Sequence, residues 1–289
     1  MDVIEWAELK GLEKIGSGAF GTVYKAERHH KECCIKVFDA TLSPSALQSF
    51  VEEAHVLAQL KHPNCVLFMG VCLDPDHTGV VTEYMDGGDL RQLLRAWRAA
   101  HSEDGLAYPY PAPSSPLAPL AFASRKTRVR ILLEAGIGLQ YLHSLGFPHR
   151  DIKPSNILLE GRMFPVKLAD FGMSGPKAAL SGGGGTPRYS APEVLLGAQA
   201  DAASDVFSFG VVVYEVLTTT KPCLRGRNAF ASPVAEPAHL ETPSLIPAHT
   251  AALLSAMLAP EPADRPSMAT VCEALVALHD SLWAAPAPI

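Results

Sequence analysis

The most informative segment of the chain is His149-Arg150-Asp151-Ile152-Lys153-Pro154-Ser155-Asn156-Ile157-Leu158-Leu159. Two tripeptides follow it, Asp170-Phe171-Gly172 and Ala191-Pro192-Glu193, and either one alone carries little information. A glycine-rich run, Gly16 to Gly21, and a lysine among apolar residues, Lys36, come before it. These five motifs together cover nearly the whole chain, and their joint occurrence is far more informative than any one of them.

The composition of the 289-residue chain is that of a packed globular protein. Hydrophobic residues make up 48% and charged residues 19%, so enough apolar surface exists to offset the entropy of the chain. The net charge of -6 provides no cationic field for a phosphate backbone or an anionic bilayer. We therefore expect neither nucleic acid nor a membrane as a partner.

The sequence also predicts a cytoplasmic or nucleocytoplasmic location. It contains no uninterrupted apolar run of about 18 residues, and its acidic first residues lack the pattern of a signal peptide. The six cysteines contain no C-x-x-C pair and belong to no complete zinc pattern with histidine. We interpret them as reduced and mostly buried thiols.

The pattern of apolar residues indicates an α+β chain with a β-rich N-terminal part and a larger helical part. Strands are predicted within 12–39, at 65–73 and at 80–84, with one amphipathic helix after Ser43-Pro44. Asp86-Gly87-Gly88 then interrupts the pattern, which places a boundary between residues 1–85 and 86–289. Helical spacing returns in four later segments, 128–144, 206–218, 251–257 and 268–282.

A proline-rich segment, 103–122, is inserted between two predicted helices. It contains Pro109, Pro111, Pro113, Pro116 and Pro119, so it can form neither a helix nor a central strand. We expect an exposed loop there. It is either a plain spacer or a docking segment for a partner that binds proline-rich sequences.

The run Gly16-Ser17-Gly18-Ala19-Phe20-Gly21 matches G-x-G-x-x-G, a pattern that is weak by itself. In a dinucleotide-binding fold the third glycine opens a helix, whereas here Thr22-Val23-Tyr24 continues as a strand. The context therefore favours glycines at the tip of a hairpin, where backbone N–H groups can approach phosphates.

Lys36 lies on a predicted strand with apolar neighbours, where an unpaired cation would be costly. The following helix offers two carboxylates, Glu52 and Glu53. Glu53 shares its helix face with apolar residues, whereas Glu52 lies beside polar ones. We therefore predict that Glu53 is the inward partner of Lys36.

The five motifs resemble those of eukaryotic-type protein kinases and occur in the order of that family. The resemblance implies a bilobal kinase fold and transfer of the γ-phosphoryl group of ATP, with Mg²⁺, to protein substrates. It further implies that Asp151 accepts the proton of the substrate hydroxyl, while Asn156 and Asp170 hold Mg²⁺. Lys36, oriented by Glu53, would bind the phosphates, since catalysis of this kind rests on positioning and on cations.

Lys153 and the segment before Ala191 resemble the serine/threonine class, most closely its tyrosine-kinase-like group. By the same resemblance Thr82 is the gatekeeper, and Glu83 to Met85 form the hinge that meets adenine. The remaining nucleotide-binding residues implied in this way are Ile15, Gly16, Ser17, Gly18, Ala19, Phe20, Gly21, Thr22, Val23 and Leu158.

The resemblance also implies two structural groups. Leu57, Phe68, His149 and Phe171 would stack in a column that Asp205 anchors. Glu193 and Arg265 would form a buried ion pair. Two features depart from the family pattern: Cys34 replaces a small alanine above adenine, and 223–247 lacks a clear amphipathic helix.

Regulation is a further expectation. Ser181 is the only hydroxyl residue between Ser174 and Thr186, and its phosphorylation by an upstream kinase would order the following glycines through Arg150. A loop that is always ordered, or ordered by a partner, is the alternative. The alternative to kinase activity is a catalytically silent scaffold or nucleotide sensor, which the intact set of catalytic residues disfavours.

Overall fold

The computed structural model describes residues 2–18, 21–38, 50–51, 54–55, 57–100, 124–161, 164–171, 187–220 and 247–284. Several predicted features lie outside these residues. They are Ala19, Phe20, Glu53, the proline-rich segment 103–122, Ser181 and the segment 223–246.

Five antiparallel strands form the N-terminal sheet, in the order β1-β2-β3-β5-β4. Their bounds are β1 (Lys10–Gly18), β2 (Gly21–Arg28), β3 (Lys31–Val37), β4 (Phe68–Cys72) and β5 (Gly79–Glu83). The predicted strand at 65–73 is too long, because Cys65 instead forms a bridge with Leu168 in the other part of the chain. Of the predicted helix after Ser43-Pro44, residues 50–51, 54–55 and 57–59 are described, and they are helical.

The second part of the chain is mainly helical, as predicted. Its helices are α1 (Leu90–Ala100), α2 (Arg125–Ser144), α3 (Pro192–Leu195), α4 (Ala202–Thr218), α5 (Ala248–Met257) and α6 (Met268–Ala284). A short antiparallel pair, β6 (Ile157–Leu159) and β7 (Val166–Leu168), lies between α2 and α3.

Three helices begin earlier than the apolar spacing predicts, and polar side chains cap two of them. The Ser124 hydroxyl accepts a hydrogen bond from Thr127 N (3.3 Å) at the start of α2. The Asp201 carboxylate accepts one from Ser204 N (2.9 Å) at the start of α4. Caps of this kind satisfy N–H groups that the helix leaves without partners, and apolar periodicity does not detect them.

A large apolar core joins the inner side of the sheet to the helical part and includes Leu57, Trp97, Leu139 and Phe209. A smaller core covers the other face of the sheet, where the segment from Asp2 to Leu9 packs against it. Within the described residues, no helix combines the length and the hydropathy needed to cross a bilayer.

Candidate active site

A cavity of about 840 Å³ separates the five-stranded sheet from the helical part. Its walls contain most of the predicted nucleotide-binding residues: Ile15, Gly16, Ser17, Gly21, Val23, Lys36, Thr82, Glu83, Met85 and Leu158. Lys153, Asn156 and Asp170 lie on the same walls. Two of the described nucleotide-binding candidates, Gly18 and Thr22, are not among the residues that line the cavity.

The hairpin of β1 and β2 forms the roof of the cavity. Gly16 pairs with Val23 and Gly18 pairs with Gly21 on either side of Ala19 and Phe20. Gly21 has a φ of +133°, and a Cβ atom there would lie 2.1 Å from the carbonyl oxygen of Val37. Only glycine fits this position, so the third glycine of the motif is required by packing as well as by any ligand.

Strand β3 projects Lys36 into the cavity, where its Nζ lies 2.7 Å from Asp170 Oδ1. Burial raises the pKa of the Asp170 carboxyl, but the charge and the hydrogen bond of Lys36 outweigh burial and lower the pKa below its ordinary value. The predicted pairing of Lys36 with Glu53 lies outside the described residues. The fold nevertheless brings the Lys36 ammonium group into direct contact with the Asp170 carboxylate, 134 residues away in the sequence.

The segment around Asp151 forms a compact hydrogen-bonded group. Lys153 Nζ lies 2.5 Å from Asp151 Oδ2, and Asn156 Nδ2 donates to Asp151 O (2.9 Å) and Asp151 Oδ2 (3.1 Å). Asp151 itself does not line the cavity, whereas Lys153 and Asn156 do. The carboxylate of Asp151 is therefore held at the edge of the cavity, oriented by an ammonium group and an amide.

The buried carboxylate of Asp205 on α4 holds this segment in place. Asp205 is 0% exposed and accepts hydrogen bonds from the backbone N–H groups of His149 (2.7 Å) and Arg150 (2.7 Å), with His143 Nε2 at 2.9 Å. Arg150 has a φ of +67°, which is unfavourable for a residue with a side chain. Asp205 compensates for this strain, as the predicted anchoring role requires.

His149 links the Asp151 segment to the Asp170 segment. Its Nε2 lies 3.1 Å from the carbonyl oxygen of Ala169, and its ring lies 5.2 Å from that of Phe171. Leu57 and Phe171 are buried in the same core, and Phe68 packs against it. Of the predicted column, the contact of His149 with Phe171 is therefore present, and the other two members belong to the same core region.

The donor set of the cavity suits a hard divalent cation. The Asn156 amide uses its nitrogen for Asp151, which leaves its oxygen and the carboxylate of Asp170 as oxygen ligands on one wall. Among the described residues no cluster of three or more His, Cys, Asp or Glu side chains could hold a metal by itself. An ion such as Mg²⁺, which binds through one or two protein groups together with phosphates, fits these two ligands.

The connection between β5 and α1 forms the rear of the cavity. The Glu83 carboxylate turns away from it, accepting a hydrogen bond from Leu67 N (2.7 Å) and pairing with Lys167 Nζ (2.6 Å). Gly87 N donates to Leu159 O (2.9 Å), and a Cβ atom on Gly87 would lie 2.6 Å from the same oxygen. The backbone of this segment, rather than the charge of Glu83, therefore faces a ligand.

Among the cavity residues that were not predicted from the sequence are Asp89, Arg91 and Gln92. They follow Gly87-Gly88 directly, and Asp89 Oδ1 accepts a hydrogen bond from Gln92 N (2.7 Å) at the start of α1. The signal available in the sequence was the order glycine, glycine, capping aspartate, which starts a helix next to the predicted hinge.

The predicted pair of Glu193 and Arg265 is present. Arg265 is 8% exposed and forms a two-pronged ion pair with Glu193, at 2.6 Å and 2.8 Å. Its guanidinium also donates to the carbonyl oxygens of Ala203 (3.1 Å) and Ala259 (2.9 Å). The buried charge is fully engaged, which is the condition under which such a pair is tolerated in a core.

The sequence matches the family model described as protein tyrosine and serine/threonine kinase over residues 9–275. The chain belongs to the protein kinase family. Among its curated relatives is serine/threonine-protein kinase CTR1 of Arabidopsis thaliana, 33% identical over 281 residues that cover 94% of this chain and 32% of the relative. The match supports the tyrosine-kinase-like group predicted from the sequence.

Other relatives of this kinase domain are named dual specificity kinases. Dual specificity protein kinase shkB of Dictyostelium discoideum is 32% identical, with 89% of this chain and 38% of the relative covered. Human dual specificity testis-specific protein kinase 1 is 34% identical, and the match covers 71% of this chain and 30% of the relative. The chain thus spans about a third of the length of these relatives. Kinases of this family use ATP together with a divalent metal ion.

Proposed function

We propose that this kinase domain transfers the γ-phosphoryl group of Mg-ATP to serine and threonine hydroxyls of protein substrates. The observation that carries the proposal is the convergence of Lys36, Asn156 and Asp170 on one cavity, with Asp151 hydrogen-bonded at its edge. Phosphoryl transfer needs positioned reactants and concentrated positive charge more than covalent chemistry, and this site supplies both.

In the proposed mechanism Asp151 orients the acceptor hydroxyl and takes its proton. Asn156 and Asp170 are the residues that would hold Mg²⁺, which neutralises phosphate charge when bound. Lys153, 2.5 Å from Asp151, would move its ammonium group toward the transferred phosphoryl group. Lys36, which we expect Glu53 to orient, would bind the other phosphates.

We assign the adenine site to the connection after β5. Ile15, Val23, Leu158 and Thr82 line the cavity, and the first three would enclose the base while Thr82 would act as the gatekeeper. The glycine hairpin from Gly16 to Gly21, with Ser17, Gly18, Ala19, Phe20 and Thr22, would cover the phosphates through backbone N–H groups. We further propose that residues 1–85 and 86–289 act as two lobes of one catalytic domain in the cytoplasm.

The comparison of Asp151→Asn with the parent tests this function directly. Purified protein receives γ-labelled ATP, Mg²⁺ and a peptide mixture containing Ser, Thr or Tyr acceptors. Loss of the proton acceptor should slow transfer by about 10² to 10⁴ fold. Asp76→Asn, the same change at an exposed residue in the turn between β4 and β5, serves as the matched control.

Equal transfer by the parent and Asp151→Asn would remove Asp151 from the mechanism. Nucleotide binding without transfer by any protein tested would instead leave a silent scaffold. Label on tyrosine as well as serine and threonine would replace the serine/threonine assignment with dual specificity, the property in the names of two relatives.

We also propose that an upstream kinase activates the domain at Ser181, with Arg150 as the cationic partner of the phosphate. Treatment with an activating kinase should raise the activity of the parent and should leave the activity of Ser181→Ala unchanged. If the unphosphorylated Ser181→Ala protein matches the activated parent, the loop needs no such switch.

A further inference from the structure

Helix α1 (Leu90–Ala100) is strongly cationic in a chain whose net charge is -6. It contains Arg91, Arg95 and Arg98 and no acidic residue. Its large apolar side chains are buried, with Leu93 and Trp97 both at 0% exposure. The arginines therefore occupy the outer side of the helix because the inner side is committed to the core.

The first turn of α1 lies at the mouth of the candidate active site. Arg91 and Gln92 line the cavity together with Lys153 and Ser155. The helix packs against the short turn Pro154–Asn156, which directly follows Lys153. A protein segment that presents a hydroxyl to Asp151 would therefore pass close to Arg91.

The far end of α1 reaches the segment that precedes α3. Arg98 forms an ion pair with Glu215 (3.0 Å), and the other carboxylate oxygen of Glu215 accepts a hydrogen bond from the Tyr189 hydroxyl (3.1 Å). Arg188 beside Tyr189 is exposed. Arg98 is thus already neutralised by a buried carboxylate that also holds Tyr189.

The two remaining arginines are available to a ligand. The Arg91 side chain is 54% exposed, and the one ion pair recorded for it in the described part of the chain is a long contact of 3.5 Å with Asp89. Asp89 is itself largely buried and caps the helix. Arg95, one turn further along, is exposed and forms no ion pair with the described residues.

Two acidic residues of the cavity wall beside α1, Asp86 and Asp89, accept hydrogen bonds from the protein itself. Asp86 Oδ1 accepts a hydrogen bond from Gly161 N (2.5 Å), and Asp89 Oδ1 accepts one from Gln92 N. Arg91 and Arg95 are four residues apart and so project from one side of the helix. They present two positive charges in water, the first at the cavity wall and the second one helical turn away from it.

We propose that Arg91 and Arg95 select protein substrates that carry acidic residues next to the acceptor hydroxyl. This inference rests on the proposed kinase function and names its substrate class. Each exposed ion pair contributes little, so the two together should favour an acidic flank by about three- to ten-fold over a neutral one. The attraction also raises the rate of encounter and weakens in salt.

A peptide library with a fixed Ser or Thr acceptor tests the inference. Each flanking position carries Glu, Gln or Lys in turn, and kcat/KM is measured with γ-labelled ATP and Mg²⁺. The parent should prefer Glu at one or more positions, and Arg91→Gln combined with Arg95→Gln should reduce the Glu-to-Gln ratio to below about two. Arg91→Glu combined with Arg95→Glu should reverse the preference toward Lys.

The matched control removes two positive charges elsewhere. Lys10→Gln combined with Lys31→Gln changes two exposed residues of the N-terminal sheet and should keep the parent's ratio. A parent that labels the library without preferring Glu, or a double glutamine variant with an unchanged ratio, overturns this inference and leaves the proposed function intact. A library that receives no label at all overturns both.

Discussion

The two faces of the N-terminal sheet differ in role, although the same strands form both: one face is covered by a core and the other lines the cavity. The outer face is closed: Cys33, Ile35 and Val81 are each 0% exposed and pack against Ile4 from the N-terminal segment. The inner face is open, and Cys34 and Lys36 from the same strand line the cavity. Successive side chains of β3 point to opposite faces of the sheet, so alternate residues contribute either to the outer core or to the cavity wall.

The closure of the outer face depends on the chain from Asp2 to Leu9. Ile4 N donates to Val71 O (2.8 Å), and Val71 N donates to Asp2 O (2.9 Å). Arg28 pairs with Glu8 (2.9 Å). The comparison teaches that substitutions on one face should affect unfolding and substitutions on the other should affect catalysis, even for neighbouring residues.

The strongest test of this comparison replaces Lys36 and Ile35, two neighbours on opposite faces, in separate variants. Lys36→Met should slow phosphoryl transfer by about 10² to 10³ fold, because the site loses a cation. Ile35→Ala should cost about 2–5 kcal/mol of unfolding free energy through a cavity in the outer core. Transfer assays and denaturant unfolding measure the two effects. Loss of transfer without loss of stability in Ile35→Ala would contradict the division between faces.

A second test loosens the outer face without touching the cavity. Gly70 has a φ of +154°, and a Cβ atom there would lie 2.6 Å from Asp2 O. Gly70→Ala should therefore displace the N-terminal segment and cost roughly 1–3 kcal/mol of stability. Thermal unfolding and hydrogen exchange of residues 2–9 measure the change. KM for ATP should stay at the parent value, and a large rise in KM would show that the faces are coupled.

The neighbouring cysteines provide a matched pair. Burial raises the pKa of the Cys34 thiol to about 12, so it stays protonated and acts by its size in the cavity roof. Cys34→Ala should lower KM for ATP by about two- to five-fold, equivalent to about 1 kcal/mol or less. Cys33→Ala should instead reduce stability by roughly 1 kcal/mol. Equal KM values for the two variants would exclude a role for the Cys34 side chain in binding.

The smallest expected effect concerns the Lys36 and Asp170 pair. The lowered pKa of Asp170 means that its charged form is stabilised by folding, so this contribution is present above the ordinary carboxyl pKa and is lost as pH falls. Asp170→Asn should reduce stability at pH 7 by under about 1 kcal/mol, and the difference should shrink only as pH falls below the ordinary carboxyl pKa and through the lowered pKa of Asp170. Urea unfolding across pH measures it, with Asp76→Asn as the control. A difference that stays constant as pH falls through the acid range would show that the charged contact with Lys36 does not contribute.

The sequence was informative wherever a motif has an invariant local geometry. The glycine hairpin, the Asp151 segment and the pair of Glu193 with Arg265 were all predicted, and the strand and helix order followed from periodicity. Helix starts at Ser124 and Asp201 were placed too late, since apolar spacing ignores caps. The bridge of Cys65 with Leu168 also escaped prediction, because it joins two distant segments.

By itself the sequence determined the family, the order of elements and the residue types at the reaction site, since these follow from local spacing and from motif chemistry. Only the tertiary structure decided which side chains lie together around the cavity and in the outer core. It turned Glu83 toward Lys167, brought Arg91 to the cavity mouth and closed the outer face with residues 2–9. The physical reason is that each of these contacts depends on how distant segments pack together, and no local pattern encodes that arrangement.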